Sequence, residues 1–378
     1  MNIVADANIA FVKQAFSAFG EVATCRSSEI NAAQVRDCDL LLVRSTIKVN
    51  QALLENSRVR FVATATIGTN HFDLDYFRQH NITWASAPGS NAASVAEWFA
   101  AALFHGCAVA KLDPTELQIG IVGVGAVGGR IERFCRTLGR PPLLCDPPRQ
   151  RREGGDFVGL DELLPKCDVV TFHVPLYRDS QDATFHLLDE KTIAILRPGA
   201  LIINASRGEV IDSSALLPAL RSGSLQGVFD VFEREPAPDA NFIAASLLAT
   251  PHIAGHSLDG KVRGTQMIYD AACGFVGIPP TWKAVEHLPP RSVETIILDD
   301  TLDDLSAFRG AIETFYSIVE DDRALRAIML LPESQRGRAF REYRENYPAR
   351  RELGGLPIKA GVKQPLARSL LRSLSAPR

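Results

Sequence analysis

Three aliphatic runs in this 378-residue chain end on side chains that could do chemistry together. The run 200–205 is followed by Ser206, Arg207 and Gly208. The run 227–231 opens into DVFEREP, with Asp230, Glu233 and Glu235, and the run 246–250 into TPHIAGHS, with His252 and His256. A planar arginine fork binds a carboxylate at two points and keeps its charge. A histidine titrates near neutrality and can take a hydroxyl proton. A carboxylate beside it fixes the ring tautomer and stabilises the imidazolium that forms. With a hydride acceptor at hand, this set suits oxidation of a 2-hydroxy acid. Each residue also has an ordinary structural use: Arg207 as a helix cap, His252 as a core histidine, Glu235 as the start of a turn before Pro236. Their placement on three successive strand ends favours the joint chemical reading.

The hydride acceptor has its own signature. The run QIGIVG leads into GVGAVGGR, which sets Gly123, Gly125 and Gly128 in GxGxxG spacing where a strand gives way to a helix. Gly123 allows the tight turn, Gly125 the approach of a pyrophosphate, and Gly128 close helix–strand packing. Ala126 and Val127 complete the loop, and the helix start offers free N–H groups to phosphate. The next run, PLLCD, ends at Asp146, close to the ~20-residue spacing at which an acid meets the adenosine ribose. A carboxylate there repels a 2′-phosphate, so NAD is the expected cofactor. Arg149, Arg151 and Arg152 follow closely and keep NADP as the alternative.

These residues need strands to carry them. Candidate strands are 2–5, 40–43, 60–64, 118–123, 142–146, 168–172, 200–205, 227–231 and 246–250. Most are continuous apolar runs, the pattern of strands buried on both faces of a parallel sheet. Amphipathic stretches such as 127–138 and 213–221 alternate with them, which predicts a doubly wound α/β architecture. The stretch APGSNAASVAEW reads as a loop, a cap and a long helix, with a hinge near residue 93. A second helix is expected over about 258–277, and the proline-rich 277–292 reads as a linker.

Composition narrows the function classes. Hydrophobic residues make up 46% and charged residues 22%, as in folded globular chains. The net charge of −3 gives no global attraction to nucleic acid or to a membrane. Seven cysteines are scattered without a CxxC pair or a Cys/His cluster, so free thiols in the cytoplasm and no metal site are expected. The first residues lack a signal-peptide pattern, and the apolar stretch around 98–110 is too short to span a bilayer.

With these motifs assembled, the chain resembles the D-2-hydroxyacid dehydrogenases. The stretches that carry the resemblance are GIVGVGAVGGR, LRPGALIINASRGEVID, DVFEREP and TPHIAG. The resemblance implies a catalytic set of Arg207, Glu235 and His252, and Asp146 at the adenosine ribose. It also implies Asp230, the peptide at Val174 and Gly255 near the nicotinamide half. It implies a Rossmann-type nucleotide domain at 94–255 inserted into a flavodoxin-like discontinuous substrate domain, 1–93 with 256–280. Further stretches, LLVRST, ATATIGTNHFDLDYF and GHSLDGKVRGT, resemble members that act on a small phosphorylated 2-hydroxy acid. They imply substrate contacts from Arg44, Ser45, Thr66 and His256, the last standing where such members usually have tyrosine.

The remaining residues, 286–378, are expected to form a small α+β dimerisation domain and so a homodimer. Leu305, Phe308, Ile312, Phe315 and Val319 form a helical stripe that needs a surface to bury it. Residues 323–378 carry 13 Lys and Arg against 4 Asp and Glu. That excess is either a solvated face or an anion site and subunit contact, with Arg350 or Arg351 offered to a partner's phosphate. Two rivals remain: a family member acting on a different phosphorylated acid with a βαββαβ module, and an NAD-sensing regulatory protein on the same fold.

Overall fold

The computed structural model describes residues 1–359 and 364–375, in two compact units. One comprises Met1–Asn91 and His256–Arg291; the other comprises Ala92–Gly255 and the described residues from Ser292 onward.

In the first unit five strands run parallel: β1 (Asn2–Asp6), β2 (Glu21–Cys25), β3 (Leu40–Val43), β4 (Phe61–Thr64) and β5 (Thr83–Ala85). Their order is β2-β1-β3-β4-β5, the flavodoxin-like arrangement. Successive residues of a strand feed opposite faces. Ile3, Ala5, Leu40 and Leu42 pack with Ile268 and Tyr269 of the returning helix, while Val4, Leu41 and Val43 pack with Leu53 and Phe77. Both faces are dry, which is why the central runs are continuously apolar. Strands β2 and β5 were not legible in the sequence because they are the two edges, and their residues are mostly half-exposed or exposed.

The second unit holds six parallel strands: β6 (Ile119–Val122), β7 (Leu143–Cys145), β8 (Val169–Phe172), β9 (Leu201–Asn204), β10 (Gln226–Phe229) and β11 (Leu248–Ala249). Their order is β11-β10-β9-β8-β6-β7, so the strand order reverses between β6 and β8. Ligands bind such sheets outside the carboxyl ends of strands, at this reversal. The Ala92–Ala110 helix runs across one face and buries Trp98, Phe99 and Leu103. It is longer than the apolar run suggested and has the length and composition of a membrane-crossing segment, yet its most apolar window is 83% buried inside the protein.

Residues after Ser292 cluster with this second unit. The expected stripe is broken at Tyr316 into two helices, Asp304–Phe315 and Ile318–Met329. Its surface is internal: the Phe308 ring lies 4.7 Å from Phe104 and 5.7 Å from Phe134, so the stripe itself does not call for a second subunit. Asp322 accepts the Ala249 N–H at 2.8 Å and thereby caps the outer edge of β11. Two short strands, β12 (Ile296–Ile297) and β13 (Ile358–Lys359), pair in parallel beside these helices. The expected linker at 277–292 is not loose. Trp282 stacks on His287 at 5.3 Å, and the Trp282 and Ala284 amides donate to Tyr269 and Gln266 of the Leu258–Val276 helix.

Candidate functional site

The glycine-rich loop follows β6. Gly123 takes φ 88°, and a Cβ on it would come within 2.6 Å of the His173 carbonyl oxygen and 2.8 Å of Val174. A Cβ on Gly128 would overlap the Gly123 carbonyl oxygen at 2.0 Å, while one on Gly125 would meet nothing within 4 Å. The first and third glycines are thus forced by packing. The second is a bare, exposed backbone position beside the start of the Gly128–Thr137 helix, as pyrophosphate requires. The residues present therefore fit a dinucleotide. Val174, expected at the nicotinamide half, borders this same loop.

Asp146 directly follows β7 and ties the loop together. Its Oδ2 accepts the Val124 N–H at 2.8 Å and its Oδ1 the Arg149 N–H at 2.9 Å, capping the Pro147–Glu153 helix. A carboxylate has about four acceptor positions, so capacity remains for ribose hydroxyls. Arg149 and Arg152 both pair with Glu153 at 2.7 Å, and Arg151 pairs with Asp182. The cations that could have received a 2′-phosphate already have carboxylate partners.

Arg207 stands at the start of the short turn Gly208–Val210 after β9. Its side chain makes no cap; Nη1 donates to the Ser206 carbonyl at 2.7 Å, and Asn204 holds the Arg207 carbonyl at 2.9 Å. Burial pulls the guanidinium below its usual range, against the opposing charges of Glu235 and Glu209. An arginine remains charged even so. Gly208 is compulsory, since a Cβ there would lie 1.9 Å from the Phe232 carbonyl carbon. The segment that delivers Glu235 therefore packs directly on the turn that delivers Arg207.

Glu235 and His252 form the centre. His252 Nδ1 and Glu235 Oε2 are 2.6 Å apart, and Glu235 Oε1 accepts the Phe232 N–H at 3.0 Å. Burial raises the Glu235 carboxyl, but His252, Arg344 and the Phe232 amide outweigh it and hold the group below the usual carboxylate range. His252 itself adopts φ 56°, an uncommon conformation for a side chain of this size.

Asp230, expected near the nicotinamide, is fully buried and its carboxylate is engaged. It accepts from Thr250 Oγ1 at 2.6 Å, the Ile253 N–H at 2.8 Å and the Ala254 N–H at 2.9 Å. Its visible work is to shape the His252 segment. Burial raises it to about 6, with His252, Thr250 and the two amides pulling the other way. Glu233 does not join the set: it accepts from the Ser213 N–H at 3.0 Å and contacts His186 at 2.8 Å. With Asp212 it forms a His/Asp/Glu cluster that braces loops.

Arg44, Ser45, Thr66 and His256 lie in the first unit. Arg44 and Ser45 directly follow β3, and Thr66 follows β4, where its hydroxyl is 2.6 Å from that of Thr64. Sequence reasoning missed Lys261, on the Leu258–Val276 helix. Burial and the neighbouring charge of Arg44 both lower its ammonium. Of the two arginines offered to a partner's phosphate, Arg350 is buried in its own unit, where it donates to Ala254 O at 3.1 Å and stacks on Tyr316 at 4.4 Å.

The family model "D-isomer specific 2-hydroxyacid dehydrogenase, NAD binding domain" matches residues 91–254. A domain of unknown function (DUF3410) matches 287–374. The chain is 44% identical over 377 residues to the erythronate-4-phosphate dehydrogenase of Ectopseudomonas mendocina, covering 100% of this chain and 99% of that one. It is also 44% identical, with the same coverage, to the enzyme of that name from Azotobacter vinelandii. Among solved structures, D-lactate dehydrogenase from Aquifex aeolicus, complexed with NAD and lactic acid, shares the fold (TM-score 0.62, 23% identity). That match covers 73% of this chain and 96% of the other. The NAD+-bound 3-phosphoglycerate dehydrogenase of Entamoeba histolytica matches likewise, with TM-score 0.63 and 23% identity over 73% and 95% of the two chains.

Proposed function

The chain belongs to the D-isomer specific 2-hydroxyacid dehydrogenase family, and within it we propose that this protein oxidises 4-phospho-D-erythronate to 2-oxo-3-hydroxy-4-phosphobutanoate. This is a step of pyridoxal 5′-phosphate biosynthesis. The chemistry rests on one observation above the others: the 2.6 Å contact between His252 and Glu235, carried in the same unit as the glycine-rich loop. The substrate rests on full-length identity to relatives of that name.

Arg207 binds the substrate carboxylate. Glu235 holds His252 through Nδ1, which leaves Nε2 to accept the proton of the 2-hydroxyl. As the O–H bond breaks, the carbonyl forms and the C2 hydrogen departs with its electron pair. NAD, when bound, supplies the acceptor for that hydride. Gly123, Gly125, Ala126, Val127, Gly128 and Asp146 hold the cofactor, with Val174, Asp230 and Gly255 toward its nicotinamide half. Arg44, Ser45, Thr66 and His256 bind the substrate, and Lys261 joins Arg44 at the phosphate.

The division of labour is substrate binding by 1–93 with 256–280, NAD binding by 94–255 and subunit contact by 286–378. A homodimer is supported by the exposed apolar side chains Leu330, 87% exposed, and Ile297, 73% exposed, both in the C-terminal region. A cytoplasmic setting is supported by seven free cysteines.

The test is NADH formation across a panel of 2-hydroxy acids with and without a terminal phosphate. The expected result is turnover of 4-phospho-D-erythronate at a kcat/KM far above that of D-erythronate, 3-phosphoglycerate or lactate. Lys261→Ala should raise KM for the phosphorylated acid and leave that for D-erythronate nearly unchanged. Preference for an unphosphorylated acid would overturn the substrate assignment.

A further inference from the structure

The segment His252–Ala254 is held from two sides. Asp230 takes the Ile253 and Ala254 N–H groups on one side. On the other, the carbonyls are taken by arginines from the C-terminal region, whose family model carries no function. Arg344 Nε donates to His252 O at 3.1 Å, and Arg350 Nη2 donates to Ala254 O at 3.1 Å. We propose that Arg344 is a positioning residue for the reaction, and that the C-terminal region is built into each active site by holding the peptide that presents His252. This rests on the reading of His252 as proton acceptor.

Three observations carry it. First, His252 sits at φ 56°, a backbone conformation that persists only where surrounding contacts over-determine it. The hydrogen bond to its carbonyl oxygen is one of those contacts. Second, the donor is itself anchored. Arg344 lies on the last turn of the Glu333–Glu345 helix with its guanidinium 5.9 Å from the Phe340 ring, one turn earlier. Tyr343 and Tyr347, on either side of it, both donate to Asp321 of the Ile318–Met329 helix, at 2.7 and 2.8 Å. That helix is bound to the sheet edge through Asp322 and Ala249. A continuous set of contacts thus runs from the sheet through the C-terminal helices to the catalytic peptide. Third, Arg344 is close enough to Glu235 to favour its ionised form, so it acts on the charge of the pair as well as on its place. Further charges beside the pair are Arg207, which feels Glu235, and Asp230, which feels His252.

The experiment uses the full-length enzyme with Arg344→Gln, Arg344→Lys and His252→Ala in parallel. Arg344→Gln should lose about 10²-fold in kcat, the scale of a displacement near 1 Å in a reacting group. KM for NAD should hold, because the glycine-rich loop is untouched. The acid limb of the kcat/KM profile should move to higher pH, since removing a positive charge lets the Glu235–His252 pair take up a proton sooner. Arg344→Lys keeps the charge but loses the Nε donor, so the limb should stay in place while kcat recovers only in part. An Arg344→Gln enzyme with kcat within about twofold of wild type and an unmoved limb overturns the proposal. So does a fall in thermal stability alone. Should the glutamine variant fail to fold, Arg344→Lys decides, since wild-type kcat there overturns the proposal. Activity retained in His252→Ala would instead sink the catalytic reading on which the proposal stands.

Discussion

The Nδ1 atom of His252 faces Oε2 of Glu235 at 2.6 Å, which fixes which ring nitrogen is left to work. With Nδ1 as donor to the carboxylate, Nε2 is the acceptor in the neutral ring. His252→Ala should therefore lose about 10²–10⁴-fold in kcat, the usual contribution of a general base. Near-normal turnover would remove this histidine from the mechanism.

Glu235→Gln keeps the shape but removes the negative charge beside the ring. Without that charge the protonated form of the pair is less favoured, so the acid limb of the kcat/KM profile should move down while the rate falls through lost orientation. A limb that moves up, or does not move, would show that another group controls it.

Arg207→Lys keeps a positive charge but not the two-point fork. The variant should be impaired by about 10-fold or more in kcat/KM, in proportion to the loss of a bidentate pair. If lysine serves as well as arginine, the substrate carboxylate is not bound in two-point fashion.

Asp146→Ser should narrow the preference for NAD over NADP. Repulsion of a 2′-phosphate disappears, but Arg149, Arg151 and Arg152 stay paired with Glu153 and Asp182. These pairs are largely exposed and weak, so the variant should gain NADP use rather than merely lose NAD. Steady-state kcat/KM with both cofactors checks this; equal use of both by the wild type would refute the assignment.

Asp230 gives a stability prediction. Its carboxyl is pushed up to about 6, from an ordinary 3.8. Between those values the folded chain keeps a proton that the unfolded chain has released. The stabilisation is thus complete below the lower value and lost as pH rises through the upper one. The scale is about 2–3 kcal/mol at about 1.4 kcal/mol per pKa unit. Wild type should gain Tm relative to Asp230→Asn as pH drops from about 7 to about 4. A constant difference would mean that Asp230 titrates as an ordinary carboxyl.

Much of this site was legible from residues alone, for local reasons. Gly123, Gly125 and Gly128 announce the glycine-rich loop because the first and third answer constraints within a few residues or on the adjoining strand. The placement of Arg207, Glu235 and His252 on one side of the sheet was legible because parallel strands bring their carboxyl ends there, so order along the chain becomes proximity in space. The central strands were legible because both of their faces are dry. Edge strands β2 and β5 escaped because half-exposed residues carry no such run. Only the tertiary structure decided where the C-terminal residues pack. Arg344 meets His252 across 92 positions and Arg350 meets Ala254 across 96, and contacts that distant leave no periodicity or spacing to read. Charge counting saw a basic surface at 323–378. Packing turned one of its arginines inward onto Ala254, set another against the carbonyl of His252, and buried the apolar stripe against Phe104 and Phe134 of the same chain. A helix that must bury one face takes whichever apolar surface the fold brings to it, and which surface that is depends on the whole chain.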